Sequence, residues 1–445
     1  MTYKDFLLGP LYFFIVLFIA KLLKNRLAKT EIEREFYTKA LMIKLFGVTF
    51  FAFIYEFYYR GGDTMGFYAW STKFVDFFFN EPTSALEFLF TNDIEAFYKF
   101  KYNYYANGYG YILKYNSRET SFIKISSVVN VFALNSYIST SYLFALFSFL
   151  GNWLLYKVFI SYYPKIKTHL AWATLYVPSV AFWGSGILKD TLTFGALGFL
   201  IYAVYKIFIH KNKVIRNVFI LIISIYLIMI LKAYIFLAFL PSGVLWIFNE
   251  QKEKIKSKAL RAILTPVFIV MIAFTLIGLA FIVGESAGRF SISNLEQTTK
   301  DFQGWHAVAS KNGSGYTINS NGTSFSGLVS AFPESVIVTY FRPFLWESGS
   351  IVVLMGALES LFFLLFFLKV FIYKGKIFIY FKAIISKPIL QMSFIFILLF
   401  GFVVGFTSFN FGALARYKIP SMPIFAAFLV MVSYQIDVLN GKIKE

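Results

Sequence analysis

The chain has 445 residues, of which 58% are hydrophobic and only 15% charged, with a mean hydropathy of +0.66 and a formal net charge of +19. That composition excludes a soluble globular domain and points to an all-α, polytopic bundle of transmembrane helices forming one integral membrane domain over 1–445. The chain has no cysteine, so disulfides, thiolate metal sites and thiol nucleophiles are excluded, and three scattered histidines (His169, His210, His306) leave little for a transition-metal cage.

About eleven apolar runs reach membrane-spanning length. The first, from about Phe6 to Ala20, is followed by basic residues and not by a small-residue cleavage site, so it reads as a span with its N-terminus outside. The basic segment Lys21 to Lys44 leads into a second span that surfaces near Tyr58. In the outer segment 59–124 the charges cancel. Its aromatic, amphipathic stretches around Tyr68 to Phe79 and Ser84 to Phe100 are expected to be helices lying in the interface plane. The uncharged stretch Ile125 to Tyr156 is long for one span and short for two, and is counted as one span with an interfacial lead-in. A fourth span should rise from His169 through Pro178 to an outer turn at Trp183-Gly184-Ser185-Gly186. The fifth descends from Lys189-Asp190, the sixth climbs to Lys232, and the seventh returns to a loop rich in lysine. An eighth exits near Gly284 into a large outer loop, 285–347, whose turn-rich part up to Pro333 is expected to be mobile. Spans nine to eleven complete the chain.

Sorting charges by side gives this topology an orientation. One set of loops carries 26 Lys/Arg against 7 Asp/Glu, while the other side and the spans together carry 16 of each. The positive-inside rule makes the first set cytoplasmic, with the N-terminus outside and the C-terminus inside a cytoplasmic (inner) membrane. The basic excess is thus a topology signal and calls for no nucleic acid.

Every candidate for chemistry lies at an outer span end. Arg60-Gly61-Gly62-Asp63 follows the second span, where two glycines let the backbone turn sharply and hold a carboxylate near the membrane surface. Asp63 is either a general base for an acceptor hydroxyl or a solvated turn residue. Lys189 and Asp190 open the fifth span. A lysine beside a helix N-terminus suits a phosphate, although a snorkelling anchor has the same sequence. Lys232, Arg342, Arg416 and Lys418 also precede outward-facing helix starts, which suggests a cationic rim for an anionic headgroup, with Glu347 able to neutralise Arg342. Tyr68, Trp183, Trp305, His306 and Trp346 are weaker candidates for sugar or acceptor contacts, since aromatic belts also place tryptophans at interfaces. Apart from Glu359, the spans hold almost no charge, which argues against an ion-coupled carrier.

In pieces, these motifs resemble the GT-C-type glycosyltransferases of envelope polysaccharide assembly and the neighbouring exopolysaccharide polymerases. Gly62-Asp63-Thr64 with Tyr68 looks like that grouping's first outer acidic motif. Trp183 to Asp190 looks like its mid-chain outer turn, and Arg416-Tyr417-Lys418-Ile419-Pro420 like its C-terminal Arg-Tyr-x-x-Pro segment. The chain departs in placing the acidic motif after the second span, in having Asp63-Thr64 for the usual Asp-Glu, and in lacking a soluble C-terminal domain. The resemblance implies an enzyme that moves a sugar from a polyprenyl-phosphate carrier to an envelope glycan or lipid-linked acceptor. Asp63 would be its base, and Arg60, Lys189, Lys232, Arg342, Arg416 and Lys418 its phosphate contacts. A repeat-unit polymerase on polyprenyl-pyrophosphate glycans and a non-enzymatic lipid or glycan exporter are the alternatives. No cofactor is predicted. Some relatives use a divalent cation, but clustered outer carboxylates are too few here to support one.

Overall fold

The computed structural model describes residues 2–252, 266, 315, 316, 318, 325–373, 377–408 and 410–443, and among these the secondary structure is helical apart from one isolated bridge between Gly315 and Asn410. In chain order the helices are α1 (Tyr3–Leu27), α2 (Glu31–Phe53, prolonged by a π-helical turn, Ile54–Tyr59), α3 (Asp63–Asn80), α4 (Pro82–Phe90), α5 (Ile94–Asn103) and α6 (Arg118–Phe132). Next come α7 (Tyr137–Tyr162), α8 (Lys167–Leu175), α9 (Pro178–Trp183), α10 (Lys189–Val204, with a π-helical turn, Tyr205–Ile209) and α11 (Val214–Lys252). The C-terminal part holds α12 (Phe325–Phe341), α13 (Ile351–Tyr373), α14 (Ile377–Ser386), α15 (Pro388–Ser408), α16 (Phe411–Tyr417) and α17 (Met422–Leu439). Eight of these, α1, α2, α7, α10, α11, α13, α15 and α17, are long and apolar enough to cross a bilayer, so the chain is a multi-pass membrane protein.

Several sequence expectations change. The fourth span is not one helix: α8 and α9 are short pieces separated at Tyr176 and Val177, because the residue before Pro178 is sterically biased away from the α conformation. Its outer turn is not a surface feature either, since residues 183–188 are all buried. The sixth and seventh spans do meet at Lys232, as expected, but with no loop between them: φ −149° and ψ 70° at that residue kink the otherwise continuous α11 into two helices. The eighth span and the stretch 285–314, including Trp305 and His306, lie outside the described residues. The basic segment Lys21 to Lys44 is almost wholly helical, with only Ala28 to Thr30 between α1 and α2. Thr30 caps α2 by accepting from the Glu33 amide at 3.3 Å, and Glu33 accepts from the Lys29 amide at 2.7 Å. Lys44 is therefore a buried residue of a spanning helix, donating to the Val180 carbonyl at 2.9 Å. Finally, the C-terminal end of the expected 285–347 loop is helix α12. Pro333, the expected end of the turn-rich part, lies inside this helix, which continues through it.

The chain divides into two compact units, Met1–Leu154 with Val180–Phe199 and Ser224–Lys232, and Leu155–Ser179 with Leu200–Ile223 and Ala233–Glu445. In the first, α3 to α6 close around an aromatic core in which Phe100 meets Phe88 at 4.7 Å, Phe77 at 5.3 Å and Trp70 at 5.4 Å. At nine and ten residues, α4 and α5 are too short to cross a bilayer. A buried carboxylate ties α1 to the start of α7: Asp5 accepts from Ser136 Oγ at 2.8 Å and from the Ile138 amide at 3.3 Å. The break before α7 falls at Leu134 and Asn135, both at positive φ, so the uncharged stretch forms a leading helix and one long helix.

In the second unit α12 packs tightly on α15. Gly401 and Gly405 share one face of α15, and a Cβ at Gly405 would lie 2.0 Å from the Ser335 carbonyl oxygen. Thr339 Oγ1 crosses this seam to the Gly401 carbonyl at 2.7 Å. The Arg342-Pro343 peptide after α12 is cis.

Candidate active site

The turn that carries Asp63 is built as the glycines suggest. Arg60, Gly61 and Gly62 have φ of 51°, 157° and 102°, and a Cβ at Gly62 would press on Tyr55 Cε1 at 3.0 Å. The chain thus reverses directly after the π-helical turn of α2 and starts α3 at Asp63, which is exposed, as is Arg60. Below the turn Thr64 Oγ1 and Tyr137 Oη are 3.0 Å apart, Tyr68 Oη donates to the Asn135 carbonyl at 3.0 Å, and the Tyr68 and Tyr137 rings meet at 5.3 Å. Burial, aided by the Asp5 carboxylate, pushes the Tyr68 phenol up. Trp183 is buried and reaches Tyr55 edge-on at 6.3 Å. Glu56, in the π-helical turn of α2, was passed over by sequence reasoning, and its charge acts on Tyr109. The Tyr109 phenol is pushed up by burial, then by Tyr111 and by the Glu56 charge, and its hydroxyl is 3.6 Å from where a Cβ on Gly61 would be.

Lys189, at the first position of α10, lies over the Phe67 ring at 5.8 Å, one turn along α3 from Asp63. Its ammonium donates to Glu119 Oε1 at 2.6 Å. Desolvation acts to raise the Glu119 carboxyl, but Lys189 beside it wins and holds it below the ordinary value. From here apolar contacts lead into a groove: Phe67 meets Phe122 at 4.6 Å, and Phe122 meets Phe144 at 5.7 Å. Phe144 lines a cavity of about 400 Å³ together with Ile125 and Val129 of α6, Phe147 of α7, Leu192 of α10 and Leu227 of α11. The size suits a small ligand or a lipid chain, and no charged side chain lines it. Leu192 follows Lys189 by less than one helical turn.

Lys232 binds Asp190 at 2.5 Å, with side chains only 8% and 5% exposed. The two ion pairs at this end of the unit are therefore unlike. The Lys189–Glu119 pair is 20% and 38% exposed, and such a pair is worth about 1 kcal/mol or less, so a ligand can displace one member. Removing one partner of a buried pair strands a charge and costs about 3–5 kcal/mol, which keeps Lys232 committed to Asp190.

The remaining candidates belong to the second unit. Arg342 holds Glu347 in a two-pronged ion pair, with Nε to Oε2 at 3.1 Å and Nη2 on Oε1. Its guanidinium also lies over Tyr316 at 5.2 Å and Phe411 at 5.4 Å. Burial works to raise the Glu347 carboxyl, but Arg342 and the Phe344 amide hold it below its ordinary range. Lys418 is fully buried and donates to the Arg342 carbonyl at 3.4 Å and to Ser360 Oγ at 3.3 Å. Burial pushes this ammonium down, with Glu359 pulling the other way. Glu359 accepts from the Ser179 amide at 2.7 Å. Arg416 is half-buried beside Tyr417 at 5.9 Å, and Trp346 is exposed, stacked on Phe344 at 4.9 Å.

Asp63, Tyr68, Trp183 and Lys189 thus gather around the head of α3, with Lys232 paired to the neighbour of Lys189, while Arg342 and Lys418 meet in the other unit. Among the described residues no three His, Asp or Glu side chains converge as a metal cage. Comparison with protein families, curated proteins and solved structures finds no match for this chain.

Proposed function

We propose that the protein is a membrane glycosyltransferase that moves a sugar from a polyprenyl-phosphate carrier to an envelope glycan or lipid-linked acceptor on the outer face of the cytoplasmic membrane. One observation carries the reading: Lys189 lies over the Phe67 ring, one helical turn along α3 from Asp63, and Leu192, less than one turn further along α10, lines an uncharged groove of about 400 Å³. A donor whose tail never leaves the bilayer needs this order of parts, with a chain site, a cation for the phosphate and a carboxylate within reach of the sugar.

In this reading the carrier chain lies in the groove and its phosphate takes over Lys189. The acceptor hydroxyl attacks the anomeric carbon, a new carbon–oxygen bond forms, and Asp63 removes the proton. The bond from the anomeric carbon to the phosphate oxygen breaks, and the electron pair leaves on the carrier phosphate beside Lys189 and the N-terminus of α10. Tyr68 and Trp183 set the floor of the turn. Arg60, Lys232, Arg342, Arg416 and Lys418 are the other expected phosphate contacts. About eleven spans are counted here by splitting α11 at Lys232 and adding 167–183 and the apolar run before Gly284, with the N-terminus outside and the C-terminus cytoplasmic.

The test is Asp63→Asn in purified full-length protein given polyprenyl-phosphate-linked sugars. Transfer, followed as released carrier phosphate, should fall by at least about 100-fold with unchanged folding. Retained transfer removes Asp63 as the base. No transfer by the wild type from any monophosphate donor, with turnover of pyrophosphate-linked glycans, makes the protein a polymerase.

A further inference from the structure

Three cations from three helices converge where α10 ends, all of them within the second unit. Lys206, in the π-helical turn, lies over the Tyr202 ring at 5.6 Å and the Tyr205 ring at 5.3 Å. Arg216, in the first turn of α11, hydrogen-bonds the Tyr202 hydroxyl. The charges that act on Lys206 are those of Lys157, from α7, and of Arg216, and both share its sign. Glu250 of α11 accepts from the Tyr162 hydroxyl at 2.6 Å and is not among them. The connection between α10 and α11 fixes this arrangement. The His210 amide donates to the Tyr205 carbonyl at 2.8 Å and the Asn212 amide to the Lys206 carbonyl at 3.0 Å. The buried Asn217 amide group then donates to the Asn212 and Lys213 carbonyls at 3.0 Å and 2.9 Å. The positive-inside rule accounts for the side on which lysines collect, but not for three that meet from separate helices. Like charges at close quarters oppose one another, and an anion seated among them reverses the sign of that interaction.

The position of the cluster selects the anion. Lys206 and Arg216 stand at the adjoining ends of two membrane-spanning helices, the one closing at Ile209 and the other opening at Val214. Arg216, Phe219 and Ile223 share one face of α11 by helical spacing, and Phe219 and Ile223 are exposed there. A phosphate held at Arg216 therefore has an apolar helix surface leading away from it into the bilayer. We infer that Lys157, Lys206 and Arg216 form a binding site for the phosphodiester of an anionic phospholipid, whose acyl chains lie along Phe219 and Ile223. Arg216 can grip two phosphate oxygens with its remaining N–H groups, and Lys206, steadied over its two rings, adds a compact charge. The site takes part in no step of sugar transfer and does not depend on the donor reading.

The experiment counts lipid bound to the full chain in detergent by native mass spectrometry, with phosphatidylglycerol or phosphatidylcholine of the same acyl chains added in titration. The wild type should hold phosphatidylglycerol about 25-fold tighter, since each basic residue near a bilayer surface contributes about fivefold toward an anionic lipid. Lys206→Gln and Arg216→Gln should each lower the preference about fivefold, and the double variant should bring it to about one. Both side chains reach solvent, so these variants should unfold at the wild-type temperature in phosphatidylcholine. Lys206→Arg, which keeps the charge, should keep the preference. A double variant that still prefers phosphatidylglycerol overturns the site. Lys382→Gln removes the same charge from an exposed position on α14, and an equal loss there makes the effect one of net charge and overturns it as well. Release of bound phosphatidylglycerol by an equal concentration of inorganic phosphate overturns the lipid assignment in favour of a free-phosphate site.

Discussion

Lys189 and Lys232 look interchangeable in the sequence, each a lone lysine at the head of an apolar run, and their surroundings make them opposites. Lys189 shares a half-exposed contact with Glu119, whereas Lys232 is sealed against Asp190. Lys232→Ala should cost about 3–5 kcal/mol, because it leaves the Asp190 carboxylate buried without its counter-charge. Lys189→Ala should cost about 1 kcal/mol or less. Thermal unfolding in detergent separates the two, and a Lys232→Ala protein as stable as Lys189→Ala would refute the distinction. Asp190→Leu combined with Lys232→Leu should recover most of the loss, since an apolar pair of similar bulk removes both charges together. Neither pairing was legible from the chain. Glu119 precedes Lys189 by 70 residues and Asp190 precedes Lys232 by 42, and nothing local to any of them marks the partner. Asp63 was easier to find because its signal is local: two glycines needing positive φ directly before an acid and after a span.

At the scale of elements, hydropathy located the long helices because lipid leaves the backbone few choices, and it failed where a helix breaks or is hidden. The expected fourth span runs through Pro178, where the helix breaks, and the expected loop runs to Pro333, which lies inside a continuous helix. Helix α12 escaped notice because its contact with α15 depends on Gly401 and Gly405, and two glycines four apart in an apolar run become meaningful only once the facing residues Ser335 and Thr339 are known. Close approach at Gly405 makes the seam intolerant of added volume. Gly405→Ala should destabilise by about 1–3 kcal/mol, because the Ser335 carbonyl it would strike is backbone and cannot rotate away. Gly356→Ala, in open space on α13, is the matched control and should be neutral to the same unfolding measurement. Equal effects of the two would mean that α12 and α15 are not in contact.

For the whole molecule, the absence of cysteine makes orientation directly measurable, since any thiol introduced is the only one present. Tyr102, exposed on α5, and Asn212, in the basic turn between α10 and α11, fall on opposite sides in the charge ledger. In intact cells a membrane-impermeant maleimide should label Tyr102→Cys and spare Asn212→Cys, which should react only after permeabilisation. The reverse pattern would invert the topology and place Asp63 on the cytoplasmic side. The groove was invisible at this scale too, because Ile125, Val129, Phe144, Phe147, Leu192 and Leu227 come from four helices and each is an ordinary apolar residue in an apolar sequence.

The Asp190–Lys232 pair also bears on how the chain is made. At roughly 5–20 residues per second, the ribosome needs about 2–8 s to extend from the aspartate to its lysine. Through that interval Asp190, the second residue of α10, has no counter-charge. Entry of α10 together with the first half of α11, as a hairpin, would bring the acid and its lysine into the bilayer already paired.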